Sequence, residues 1–248
     1  MKHLLKNLLS SFGIRLIKTK YQSVNEKKNH LECFLEILVR EGFDPKCVFD
    51  IGANHGTWTR RTLDFFPDSR YLLFEPQAFM KASSSDLIEK YDVHFHPFGL
   101  GAKSGLFPFT YHDRDDSCSF NIDSDTAELK GWKQELLEVK TVDEFLNESH
   151  SMQLPELVKI DAEGLDLEVL KGCSALFGHT DFFLVEGGVG NLEVPNSALA
   201  VMQFLEEKGY RFYDLTDLNR PFGNRRLHLV EMVFVRTGSK WDKHGDAE

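Results

Sequence analysis

Residues 47–56 read Cys47-Val48-Phe49-Asp50-Ile51-Gly52-Ala53-Asn54-His55-Gly56. A short apolar run ends in an acid, small residues and two glycines follow, and an amphipathic segment begins at Thr57. That order is strand, tight turn, helix. Gly52 and Gly56 let the backbone come close to a ligand and let the helix start hard against the sheet. In an open α/β sheet, ligands bind in the crevice at the carboxyl ends of the strands, where this turn falls. The spacing departs from the dinucleotide fingerprint Gly-x-Gly-x-x-Gly. Asp50, Gly52, Asn54 and Gly56 stand instead at every second position, without a third glycine. A glycine turn of purely structural use is the competing reading.

Outward from this stretch the pattern alternates. Thr57 to Phe66 reads as a helix stopped by Pro67, Arg70 to Phe74 as a second strand ending in Glu75-Pro76, Phe79 to Lys90 as a helix, and Val93 to Leu100 as a third strand. Leu157 to Ile160 and Phe182 to Val185 read as the fourth and fifth strands, each followed by a helix, the later one over Ala198 to Lys208. Strands alternating with helices predict a parallel, doubly wound α/β sheet. Tyr210 to Leu215 and Leu227 to Val235 are sixth and seventh strands joined by a loop too short for a crossover helix, so the last pair is antiparallel. Between them the rhythm breaks. Phe107 to Tyr111 and Leu136 to Lys140 are extra strands around a polar stretch, Asp113 to Gly131, of the kind that forms an active-site lid. The predicted organisation is an N-terminal helical extension over 1–44, a main domain over 45–237 with a lid at about 107–140, and a polar, frayed tail over 238–248.

Upstream, Leu31 to Val39 reads as a helix stopped by Gly42 and Pro45, covering either the sheet or an active-site mouth. Leu5, Leu8, Leu9, Phe12 and Leu16 fall near one helical face, and residues 1–20 carry Lys2, Lys6, Arg15, Lys18 and Lys20 without an acid. Such a segment packs on the domain or on a second copy of the chain in a homo-oligomer, or lies as a peripheral contact on an anionic membrane surface. Packing is the favoured reading. The formal net charge of −10 argues against a general nucleic-acid binder, which needs a basic face. Four scattered cysteines without metal spacing indicate reduced thiols and a cytoplasmic protein, and no apolar run reaches the length of a membrane span.

Four strands finish in acids: Asp50, Glu75, Asp161 with Glu163, and Glu186. An acid after the second strand can accept from both hydroxyls of a ribose, which suits a nucleoside cofactor without choosing one. The row Asp50-x-Gly52-x-x-x-Gly56 resembles the first motif of class I S-adenosylmethionine-dependent methyltransferases. VFDIGANHG, LLFEP, FGLG, TVDEFL and LVKIDAEGLDLEVLKG, in that order, resemble the FkbM methyltransferase family over roughly residues 45–235. The resemblance implies a Rossmann-like seven-stranded domain that transfers methyl from S-adenosylmethionine. The usual acceptor is a hydroxyl oxygen on a glycan, polyketide or similar small molecule. Carried over by motif, Asp50, Gly52, Ala53, Asn54 and Gly56 would line the cofactor's amino-acid end, Glu75 its ribose, and Gly99-Leu100 the neighbourhood of its adenine. His55 stands where the family often has an apolar residue, and the 113–116 run matches no family motif.

Methyl transfer to oxygen requires the nucleophile held about 3 Å from the methyl carbon and one proton removed. Asp161 and Glu163 are the substrate-facing candidates, with Lys159 on the same strand face as Asp161. Their bland alternative is that Glu163 caps the next helix while Asp161 orders the turn. His112, bordering the lid, is a further candidate base; His94 and His96 fit packed or solvated positions better. Asp116, Ser117, Ser119, Phe120 and Trp132 are candidate acceptor contacts. No metal site is expected, because two carboxylates such as Asp161 and Glu186 at unknown separation do not make one. No nucleophile elbow appears, which disfavours a hydrolase. The alternatives are a nicotinamide-dependent oxidoreductase and a non-catalytic partner protein of the same fold in a glycan-assembly system.

Overall fold

The computed structural model describes residues 29–112, 117–149, 152–190, 194–221 and 226–243. The basic segment 1–20, the run 113–116 with Asp116, and residues 244–248 lie outside the described residues. Helix α1 spans His30–Arg40, β1 Cys47–Ile51, α2 Thr57–Leu63 and β2 Arg70–Phe74. A 3-10 turn over Ala78–Ser84 leads into α3, Ser85–Lys90, and then β3, Val93–His96. Next come β4 Gly99–Leu100, β5 Gly105–Tyr111, α4 Ser124–Lys130, β6 Lys133–Lys140 and α5 Val142–Glu148. The chain closes with β7 Leu157–Ile160, α6 Asp166–Lys171, β8 Phe182–Gly188, α7 Ala198–Glu207, β9 Tyr210–Asn219 and β10 Leu229–Arg236.

Every residue of β1 is buried, so the strand must be covered on both faces. Alternation divides the work. Phe49 and Ile51 face one side with Leu72, Phe74, Val158 and Val185, where α5, α6 and α7 pack. Val48 faces the other with Tyr71, Leu73, Leu157 and Leu184, beneath α1, α2 and α3. The resulting seven-stranded sheet has the order β3-β2-β1-β7-β8-β10-β9. Neighbours from β3 to β8 are parallel, and β10 runs antiparallel to both β8 and β9, as the missing crossover helix implies. This is the Rossmann-like doubly wound arrangement.

Helix α1 covers the sheet rather than a site mouth. Leu31, Phe34, Leu35 and Leu38, spaced at helical intervals, are buried, with Phe34 edge-on to Phe182 at 5.7 Å. Asn29 caps it, accepting from the Leu31 N–H at 3.0 Å. At the other end of the chain the frayed-tail expectation fails at Trp241. Its ring is 5% exposed, packs 5.1 Å from Phe43, and donates from Nε1 to Asp181 at 3.1 Å. One aromatic side chain in a polar stretch is enough to dock it.

The predicted third strand does not run through to Leu100. Pro97 cannot donate to a ladder, so β3 stops at His96. Gly99–Leu100 joins a second, three-stranded sheet of order β4-β6-β5, in which β4 is parallel and β5 antiparallel to β6. The polar stretch expected as a lid holds α4, started by Asp123, which accepts from the Thr126 N–H at 2.8 Å, and stopped by Gly131 at φ 67°.

Candidate active site

The turn after β1 is held by positive φ values at Gly52 (73°), Asn54 (47°) and Gly56 (71°). Gly52 is dictated by contact as well as by angle. A Cβ there would stand 1.8 Å from the Asp161 carbonyl oxygen. The N–H groups of Gly52 and Ala53 both donate to the Phe74 carbonyl, at 2.9 and 3.1 Å, which fastens the turn to the end of β2.

Glu75 stands beyond β2, 4% exposed. Its Oε2 accepts from the Asn54 N–H at 3.0 Å, and its Oε1 from the Gln77 N–H at 3.0 Å and side-chain amide at 3.2 Å. Burial raises its carboxyl above the ordinary range, and the Gln77 and Asn54 donors oppose that shift. Glu75 therefore organises the glycine turn while its edge borders the cleft.

Lys159 is the hub between β1 and β7. Its ammonium is 3.0 Å from the Gly52 carbonyl, 3.4 Å from Asp50 and 3.3 Å from Asp161. Burial disfavours its charge, but Asp161, Asp50 and Glu231 together outweigh that, and its pKa is raised. Asp50 is fully buried and accepts from the Thr59 hydroxyl at 2.6 Å, so it anchors the turn to α2 from below.

Behind Asp161 lies a carboxylate layer. Asp166 accepts from the Ala162 N–H at 3.0 Å and the Asn196 amide at 2.7 Å, and burial, followed by Asp161, pushes it up to about 7. Glu231 accepts from the Thr216 hydroxyl at 2.5 Å, and burial pushes it to about 7. Glu186, opposite Glu231 in register, is raised first by burial and then by Asp161, Asp166 and Glu163.

These elements surround an open cleft at the carboxyl ends of the strands. Of the residues singled out from sequence, Gly52, Asn54, Glu75, Gly99, Leu100, Asp161 and Glu163 border it together, with Ser119 and Phe120 from the lid. Asp50, Ala53 and Gly56 support the turn without bordering the cleft. His112 does not border it either; its ring lies 3.9 Å from that of Trp132, which is also outside the lining, as is Ser117. His96 stacks on Phe74 at 5.0 Å, and burial lowers it to about 4, so it is a packed histidine. His94 pairs with Asp92 at 2.6 Å on the exposed side. Sequence reasoning missed Phe109, Cys118, Leu165 and Gln77 in the lining. Only Gln77 carried a signal, standing two residues after Glu75 where its N–H can close a turn onto the carboxylate.

The lid meets the β7–α6 turn directly. The Ser119 hydroxyl donates to the Glu163 carbonyl at 3.2 Å, and Glu163 itself sits at φ 51°. Phe120 lies over Gly99, where a Cβ would meet its ring at 2.8 Å. Among the described residues, no group of His, Cys, Asp and Glu is arranged to hold a metal ion.

A doubly wound sheet with a glycine turn, a buried acid after β2 and a cleft over the strand ends defines a Rossmann-like protein with a nucleoside-type site. A methyltransferase FkbM domain model matches residues 50–212, and the chain belongs to that family. It is similar to "Methyltransferase 1" of Beauveria bassiana (strain ARSEF 2860), 24% identical over 166 residues covering 56% of this chain and 67% of that protein. The crystal structure of methyltransferase FkbM from Methylobacillus flagellatus KT shares the fold, with a TM-score of 0.51 and 15% identity. The match covers 86% of this chain and 46% of the other, so the chain spans about half the length of that relative. A looser likeness is to precorrin-6y C5,15-methyltransferase from Geobacter metallireducens GS-15, with a TM-score of 0.47 and 12% identity over 89% of this chain and 96% of that one.

Proposed function

We propose that the protein transfers a methyl group from S-adenosylmethionine to a hydroxyl oxygen of a glycan or a similar small metabolite. One observation carries this reading: the buried Glu75 carboxylate ties the Gly52–Gly56 turn to the end of β2 and borders the same cleft as Asp161 and Glu163. The donor set fits a nucleoside linked to an amino acid. Glu75 suits the two ribose hydroxyls, and the close-lying Gly52 backbone leaves room for the amino-acid end. A dinucleotide fits less well, since the turn lacks the third glycine of the pyrophosphate-binding fingerprint.

Bound there, S-adenosylmethionine supplies a methyl carbon activated by the adjacent sulfonium. Gly52, Asn54 and Glu75 would hold it, with Gly99 and Leu100 beside its base. Asp161 and Glu163 stand on the acceptor side and would orient the attacking hydroxyl and take up its proton. Phe109 and Phe120 line the cleft from the lid. Lys159 fixes Asp161 relative to the glycine turn, which sets the spacing of the two substrates.

The reaction type is tested by supplying methyl-labelled donor with hydroxylated acceptors and heating the product in alkali. An ether survives, and label released as methanol would instead indicate ester formation. Cytoplasmic placement, with residues 1–20 packed on the chain, on a second copy or on a membrane surface, is part of the same proposal. No helix among the described residues is long and apolar enough to cross a membrane.

A further inference from the structure

Asp161 and Glu163, the two acids that border the cleft, are carried on one tight turn between β7 and α6. The turn has an unfavourable shape. Glu163 sits at φ 51° and Gly164 at φ 89°, two left-handed residues in succession, of which only the second is a glycine. A residue with a Cβ stays left-handed only where its surroundings over-determine it. The lid supplies one hold, the Ser119 hydroxyl on the Glu163 carbonyl. Another comes from below. Asp166, fully buried, accepts from the Ala162 N–H at 3.0 Å and from the Asn196 side-chain amide at 2.7 Å.

Asn196 lies thirty positions further along the chain, yet it stands in for a local helix cap. Leu165, immediately before α6, offers that helix no side-chain acceptor. The Asn196 Oδ1 accepts from the Leu167 N–H at 2.9 Å instead, and its amide nitrogen also lies 3.5 Å from the Glu186 carbonyl. Its own backbone carbonyl accepts from the Gly188 N–H at 3.0 Å, which pins it to the end of β8. A helix start that needs stability alone takes its cap from the preceding residue. Here the cap comes from a distant loop, so the turn is registered on β8 as well as on β7.

We propose that Asp166, held by Asn196, is a positioning residue for methyl transfer, locking the 161–164 turn so that both of its acids meet the acceptor. The proposal rests on the methyl-transfer reading and names what sets the geometry of its acceptor side. Asp166 lies outside the cleft lining and acts through the Ala162 amide. Lys159 holds the Asp161 side chain, and Asp166 holds the backbone that carries it. The rival account is that Asp166 and Asn196 stabilise α6 and nothing more.

The test exchanges the two groups. Asp166→Asn keeps the shape but sets one N–H donor against another, at Asn196 or at Ala162. Adding Asn196→Asp restores the bonds to Ala162, to Leu167 and within the pair, and loses only the longer contact to the Glu186 carbonyl. The full-length wild type, single and double variants are compared by NMR, which reads folded molecules whatever their stability. Two signals decide: the Glu163 Cα and Cβ shifts, which mark left-handed backbone, and exchange of the Ala162 amide relative to the amides of β1. Asp166→Asn is expected to lose the left-handed shifts and to speed that relative exchange about tenfold, and the double variant to recover both. Calorimetric affinity for S-adenosylhomocysteine should change by no more than about threefold in either variant. A single variant whose Tm falls while both signals stay as in the wild type overturns the proposal, as does a double variant that recovers Tm without the signals. A larger loss of cofactor affinity overturns it too, because the pair would then serve the donor side. Should Asp166→Asn not fold, Asn196→Ala leaves the bond to Ala162 in place, and the same signals decide. Failure of the methyl-transfer reading shows separately, as absence of S-adenosylhomocysteine binding by the wild type, and the proposal then falls with it.

Discussion

The cleft has two walls built on different principles. The strand-end wall is wired by backbone hydrogen bonds: Glu75 accepts from Asn54 and Gln77, Phe74 from Gly52 and Ala53, and Lys159 donates to Gly52. Its residues are buried and their geometry is over-determined. The lid wall comes from the second sheet and the 117–121 segment, where Phe120 packs on Gly99, and among the described residues it touches the first wall chiefly through Ser119 on the Glu163 carbonyl. Its outward strands stay open to solvent, with Leu106 65% and Leu136 63% exposed. A wall that must hold an invariant ligand gains from rigidity, whereas a wall facing the variable substrate can change without unfolding the sheet.

If that contrast is right, damage should be graded from one wall to the other. Gly52→Ala should do most. Its Cβ would overlap the Asp161 carbonyl at 1.8 Å in a left-handed conformation, so a loss of about 3–5 kcal/mol in thermal or denaturant unfolding is expected, with no cofactor binding left. Glu75→Ala should come next. It leaves three donors without their acceptor, costing about 2 kcal/mol, and should weaken S-adenosylhomocysteine by roughly a hundredfold in calorimetry. Ser119→Ala, in the lid, should cost only about 1 kcal/mol and leave cofactor affinity unchanged, while raising the KM for the acceptor. Equal loss of cofactor affinity in Ser119→Ala and Glu75→Ala would erase the distinction between the walls.

The smallest effect is a pH dependence. Asp166 and Glu231 are pushed up to about 7 in the folded chain, from the ordinary carboxyl values of 3.8 and 4.5. A carboxyl raised on folding binds more protons when folded, so its contribution to stability is present at low pH and is lost as pH rises through about 7. His96, lowered to about 4, works the other way and loses its contribution as pH falls below 6.5. Comparing the wild type with Glu231→Gln isolates the carboxyl. The variant should hold its Tm more evenly between pH 5 and 8, and parallel curves would contradict the assignment.

Much of the strand-end wall was legible in the sequence because its chemistry is local. An apolar run ending in Asp50, two glycines four apart, and an acid closing the next strand fix a turn and its neighbours between Cys47 and Glu75. The two extra strands of the lid were legible, but their pairing into a second sheet was not, for the opposite reason. Leu100 pairs with Lys140, and Tyr111 with Lys133, and pairings over such separations leave no periodic trace. The Pro97 break was readable as a ladder stop, yet Val93 to Leu100 looks continuous because apolar residues lie on both sides of it. Helix α4 had its cap signals, Asp123 and Gly131, but only one buried residue, Ala127, to mark a face. The shared role of Lys159 could not be inferred, since it depends on β1 and β7 lying side by side.

The central claim is that the wired wall holds the nucleoside of a methyl donor. Calorimetric titration of the full-length protein with S-adenosylhomocysteine and, separately, with NADH tests it most directly. The account predicts saturable micromolar binding of the first and none of the second. Binding of NADH in preference, or of neither ligand by a protein that unfolds cooperatively, would contradict it.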